Sequence, residues 1–169
     1  VIDNPDYKIR SNMMDYFLDS ELAYFFKQST IKTDNYNIFC NEGFYDTKRK
    51  IGIFKNQAKV RNDERIIYGD SIYFDDNLQY ASASKNIRII DQEENLIIKG
   101  EYAEVFEKLD SALITRKPVA INITKSDSLF IKADTLFSVG KKERKKIIGY
   151  YNVKFIKGSM SGKSDKIEI

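Results

Sequence analysis

The chain has 169 residues, 42% apolar and 31% charged, which places it with single globular domains and excludes disordered, collagen-like and linker-type chains. Its net charge of +3 is spread thinly over many Lys and Asp residues, short of the gathered basic bias of a nucleic-acid binder. His and Trp are absent, Cys40 stands alone so that no internal disulfide can form, and no apolar run is long enough for a membrane-spanning helix.

A strand–turn–strand unit of roughly thirty residues recurs through the chain, a period typical of stacked architectures. A degenerate copy runs from Ile9 to Ile31. Residues 36–60 and 65–89 then align without a gap: Ile38 falls on Ile67, Cys40 on Gly69, Phe44 on Tyr73, Asp46 on Asp75, Gly52 on Ala81 and Val60 on Ile89. Further copies cover 96–121 and 129–155, and the sequence stops inside a sixth at Gly162–Ile169. Tyr and Phe, 11 residues each, favour strands. Residues 13–26 and 101–114 taken alone carry apolar residues at helical spacing, but the repeat register assigns both to strands. Because it starts at Val1 and ends on an alternating, uncapped strand, the chain is expected to be one domain, 1–169, cut from a longer protein.

Each unit opens on an alternating strand. Ile67, Gly69, Ser71 and Tyr73 read as one face, as do Ile131, Ala133, Thr135 and Phe137. Polar turns follow at Asp46–Lys50, Asp75–Asn77, Glu107–Asp110 and Gly140–Lys146. Units pairing edge to edge would add one strand each to two facing sheets, a slab on the order of 25–30 Å long with unpaired edges at both ends. Small residues (Cys40, Gly52, Gly69, Ala81, Gly100, Ala112, Ala133) recur at fixed inner columns. They either leave room between the sheets or accept aromatics from the facing sheet, and composition does not choose.

The search for catalytic residues is mostly negative. Without His, the commonest general base and His-ligated metal sites are missing. Cys40 shares a column with Gly and Ala and reads as packed rather than nucleophilic. Gly158–Ser164 resembles a phosphate loop with one residue too few, followed by a strand instead of a helix. The basic cluster Lys141, Lys142, Arg144, Lys145 and Lys146 is either a solvated turn or a site for phosphate groups.

The segments IYGDSIYFD (67–75), IKGEYAEVF (98–106) and IKADTLFSV (131–139), with the endings KNIRI (85–89) and YNVKF (151–155), resemble the OstA-like family, the group that includes LptA-type lipopolysaccharide-transport proteins. The likeness covers essentially the whole chain and looks greatest to the longer OstA-like proteins of Bacteroidetes. Lys85-Asn86 and Tyr151-Asn152 lack the family's usual Gly, while Asn56-Gln57 and Lys117-Pro118 lack the whole dipeptide.

The resemblance implies an all-β, repeat-built, two-sheet β-jellyroll (β-taco), V-shaped and open-ended. It further implies a periplasmic protein without catalysis or cofactor that shields the lipid A acyl chains of lipopolysaccharide between its sheets. The expected partners are lipopolysaccharide and other OstA-like domains, joined end to end through edge strands into a bridge to the outer membrane, and no nucleic acid. The expected lipid-facing residues are Ile38, Phe44, Phe54, Ile67, Tyr73, Ile87, Ile89, Ile98, Tyr102, Ile114, Ile131, Phe137, Val153 and Phe155. Glu42 and Glu104, on the same columns, would sit poorly against acyl chains. A structural or adhesive β-repeat scaffold with a filled core is the alternative.

Overall fold

The computed structural model describes residues 1–141 and 144–169. The chain is all-β, 68% strand, with one 3-10 turn at Glu107–Leu109 and no α-helix among the described residues. The strands are β1 (Ile2–Asn4), β2 (Tyr7–Ser11), β3 (Met14–Phe17), β4 (Leu22–Phe25), β5 (Ser29–Thr33), β6 (Asn37–Cys40), β7 (Glu42–Asp46), β8 (Ile51–Arg61) and β9 (Arg65–Asp75). There follow β10 (Tyr80–Asp91), β11 (Leu96–Phe106), β12 (Ser111–Thr115), β13 (Val119–Asn122), β14 (Leu129–Lys132), β15 (Thr135–Val139), β16 (Lys146–Lys157) and β17 (Met160–Glu168). Both helix-spaced stretches are strand and turn, as the repeat register requires.

All pairings are antiparallel, and each repeat is a hairpin. Its turns are fixed by aspartates: the carboxylates of Asp46, Asp75 and Asp91 accept the backbone N–H groups of Arg49, Leu78 and Glu94. The Asp46/Asp75 column therefore caps the hairpin turns of its repeats, and Asp91 caps the connector to the next repeat.

In the middle of the long strands β8, β10 and β16, and between β12 and β13, two consecutive residues take left-handed backbone. They are Asn56–Gln57, Lys85–Asn86, Arg116–Lys117 and Tyr151–Asn152, with φ between 51° and 65°. At three of these pairs the ladder slips by one residue: Ser84 faces Tyr102 but Ile87 faces Gly100, and β8–β9 and β16–β17 shift likewise. Such bulges let a strand turn a corner. The third corner falls on Arg116–Lys117, one position before the Lys117-Pro118 expected from the alignment.

This corner corrects the alternation read from the sequence. Along β9, Ile67 and Gly69 are buried, and so are Ile72 and Phe74, whereas Ser71 and Tyr73 are not. The inward phase flips because the sheet bends between Gly69 and Ile72. A second correction follows: the two strands of a repeat do not go to separate sheets. Each long strand crosses the corner and serves both wings, here termed wing A (Ile67 and Ile89 side) and wing B (Phe74 and Ala81 side).

β1, β2, β5, β6, β13 and β14 lie in wing A, and β3, β4, β7, β12 and β15 in wing B. Because β11 and β16 span both, β11, β12, β15, β16, β14 and β13 pair in turn and close a ring of six strands. The buried faces of both wings join in one apolar cluster, so the sheet is folded over a single core.

Candidate functional site

The interior between the wings is the first candidate. Of the expected lipid-facing residues, Ile38, Phe54, Ile67, Ile87, Ile89, Ile98, Ile114, Ile131 and Val153 meet there, each 3% exposed or less, with Phe155 packed at the margin. Phe44, Tyr73, Tyr102 and Phe137 do not join them. They stand past the corner, where the phase has flipped, on the outer face of wing B. Their inward counterparts are Tyr45, Phe74, Ala103 and Leu136, which the uninterrupted alternation missed. The same flip resolves the awkward acids. Glu42 is exposed and bound by the Asn56 side-chain amide, while Glu104 accepts the hydroxyls of Tyr80 and Tyr102 on the outside.

The small inner residues are matched by neighbours. A Cβ at Gly100 would lie 2.6 Å from Ile114 Cγ2, one at Gly52 2.7 Å from Phe54 Cζ, and one at Gly69 3.3 Å from Ala83 Cβ. Between Ile89, Leu96, Ile98, Ala112 and Ser138, where the interior meets Arg65, Asp91 and Lys145, the open space amounts to 10 Å³, at most about one water. The inner side chains of the two wings pack into one continuous apolar cluster.

A seam of ion pairs runs where the far ends of the wings meet. Arg65 approaches Glu107 at 3.4 Å and Lys145 meets Asp91 at 2.8 Å, both pairs largely buried. Lys141 bridges Glu64 and Asp110, 3.1 Å from each, and Tyr36 packs edge-on against Phe74 at 4.7 Å. Arg65 Nη1 lies within ion-pair range but makes no hydrogen bond, so attraction without directional bonding holds that pair. Burial raises the Glu107 carboxyl above its ordinary pKa, and Arg65 opposes the rise. Of the basic cluster, Lys141 and Lys145 pair across the seam and Lys146 pairs with Glu168. Lys142 lies outside the described residues. Cys40 is fully buried and its thiol is pushed up to about 12, consistent with a packing role. No cluster of metal-ligating side chains occurs among the described residues.

The outer face of wing A was not anticipated. Paired residues line up across it as Arg10, Thr30, Phe39, Lys59, Tyr68, Arg88, Lys99, Val119, Lys132, Lys154 and Lys163. The neighbouring row begins Lys8, Lys32, Asn37 and Arg61, then turns apolar through Ile66, Ile90, Ile97, Ile121, Phe130 and Ile156. Over β2 to β9 these rows border a groove of 1030 Å³. Net charge hid this gathering, since the balancing carboxylates sit in turns, at corners and along the seam. The signal available in the sequence was a cation directly after the inner apolar residue of successive strands, seen at Lys32 after Ile31, Lys59 after Ala58, Arg61 after Val60, Arg88 after Ile87, Lys99 after Ile98, Lys132 after Ile131 and Lys154 after Val153.

No protein-family model matches the chain, and no curated protein matches it. No helix is long and apolar enough to cross a membrane, a statement confined to the described residues.

Proposed function

We propose that this chain is a non-catalytic, periplasmic β-repeat domain of the OstA-like type, a V-shaped jellyroll that shields the acyl chains of lipopolysaccharide between its wings. The observation that carries this reading is the single apolar interior running through every repeat, closed at its mouth by ion pairs rather than by a loop or a second layer. Lipid entry then requires the wings to part along that seam or at the ends of the sandwich. Burying a fourteen-carbon chain completely would give roughly 10 kcal/mol at about 0.8 kcal/mol per CH₂. Displacing the existing side-chain packing offsets much of this, which suits a conduit that must release its cargo. At the ends, β1 and β3 on one side and β17 on the other each have one partner strand among the described residues, and these free edges are where further domains would add end to end.

The filled-scaffold reading has its own observation, the tightly packed side chains of the interior. Photo-crosslinking separates the two. A crosslinker at Ile67 or Ile87 is expected to capture lipopolysaccharide, and one at Asp70, on the outer side of the corner, is not. No capture from the interior positions, or equal capture from Asp70, would leave the scaffold.

A further inference from the structure

We infer that the groove on the outer face of wing A binds an anionic oligosaccharide, one carrying phosphate or carboxylate groups on its sugars. The site is separate from the interior and does not depend on the proposed lipid role.

The argument begins with charge. Lys8 and Lys32 are directly opposed in the β2–β5 ladder, and Arg10, Lys59 and Arg61 complete the lining cations. Like charges facing across strands are destabilising, and proteins normally interleave opposite charges there. Yet the groove lining holds no carboxylate. Lys8 is paired with Asp3 on the edge strand, while Arg10, Lys32, Lys59 and Arg61 have no carboxylate within ion-pair distance among the described residues. A concave surface of one sign focuses field and concentrates an oppositely charged ligand. Its volume of 1030 Å³ is at the upper end of small-ligand sites and fits several sugar units.

The neutral lining decides the class of anion. Thr30, Asn37 and Gln57 offer hydroxyl and amide groups between the cations, which suits a ligand rich in hydroxyls as well as charge. A single-stranded nucleic acid needs open aromatic faces on which successive bases stack. Of the two aromatics in the groove, Tyr68 is covered by Arg88, whose guanidinium sits 4.5 Å from the ring centroid, with Lys59 Nζ at 5.8 Å. That leaves Phe39 alone, enough for the apolar face of a sugar and too little for a run of bases. Beyond the groove the row continues through Lys99, Lys132 and Lys154, so a longer glycan has cations to follow.

The test is a binding titration by fluorescence anisotropy at low and physiological salt. Two labelled probes are used: deacylated lipopolysaccharide, which keeps phosphorylated sugars without fatty acids, and an oligogalacturonate, a free carboxylated glycan. Binding of either probe that weakens with salt supports the site, and the preferred probe identifies the source. Lys32→Glu/Arg61→Glu is expected to lower affinity at least tenfold, and the neutral Lys32→Gln/Arg61→Gln severalfold. Lys163→Glu, at the far end of the face, should stay within about twofold. Circular dichroism checks that each variant keeps its strands. The proposal is overturned if neither glycan binds, if the groove variants bind like wild type, or if an oligothymidylate of equal charge binds as tightly as the glycans. Because the deacylated probe has no chain to enter the interior, a negative result leaves the lipid reading untouched.

Discussion

Individual residues in the repeat columns carry different duties that a shared column conceals. Cys40 occupies the position of Gly69, Gly100 and Ala133, and its burial with a thiol pushed up to about 12 means almost no thiolate exists at neutral pH. Alkylation by iodoacetamide at pH 8 should therefore be negligible in the folded protein and complete in guanidinium; labelling at the rate of a free thiol would contradict the burial. The glycines are graded rather than equivalent. A Cβ at Gly52 would sit 2.7 Å from the Phe44 carbonyl oxygen, backbone that cannot yield, while one at Gly69 meets Ala83 Cβ at 3.3 Å. Gly52→Ala is expected to lower stability by about 1–3 kcal/mol in urea titration, and Gly69→Ala by clearly less. That small residues belonged on the inner columns was legible in the sequence. Whether they left space was not, because the answer lies with Ile114, Phe54 and Ala83, which come from other columns.

At the level of the strand, the corner decides which side chains face inward. Its left-handed pairs are held by a recurring clamp in which the amides of Asn86 and Asn152 donate to Asp70 and Asp134, each at 2.7 Å. The first residue of each pair (Lys85, Tyr151) has no such bond and bears the steric cost of the left-handed region, about 1–2 kcal/mol for an L-residue. Lys85→Gly and Tyr151→Gly should each raise the urea midpoint, by a stabilisation of about 0.5–1 kcal/mol after the added freedom of the unfolded chain is counted. Asn86→Ala should lower it by about 1–3 kcal/mol, since it removes a hydrogen bond to a charged acceptor. If the glycine variants were destabilised, the corner would owe its shape to those side chains instead. The repeat, the hairpins and the turn aspartates could be read from spacing alone. The phase flip could not, because a bulge inserts its extra residue in one strand and shows its effect in the partner. Ile38, Ile67, Ile98 and Ile131, before the corner, were placed correctly inside, whereas Phe44, Tyr73, Tyr102 and Phe137, past it, were placed on the wrong face.

For the molecule as a whole, the seam determines how the interior is reached. Buried ion pairs are a weak source of stability but are costly to break singly, typically about 3–5 kcal/mol, because one charge is left behind without a partner. Arg65–Glu107 and Lys145–Asp91 are of this kind, and Lys141 with Glu64 and Asp110 forms the exposed outer line. If acyl chains enter sideways, these contacts must part. If they enter from the ends, beside the edge strands β1 and β3 or beside β17, the seam can stay shut. Replacing Glu64 and Lys141 by cysteine and bridging them with a short bismaleimide that carries a disulfide in its spacer would lock the seam at its outer line. Cys40 need not be removed, being too deeply buried to compete. In the locked protein, loss of lipopolysaccharide capture by a photo-crosslinker at Ile67, restored when a reducible bridge is cleaved, is the outcome expected for lateral entry. Capture that persists unchanged in the locked form would rule lateral entry out and make the free sheet ends the route, with neighbouring domains forming a continuous covered channel.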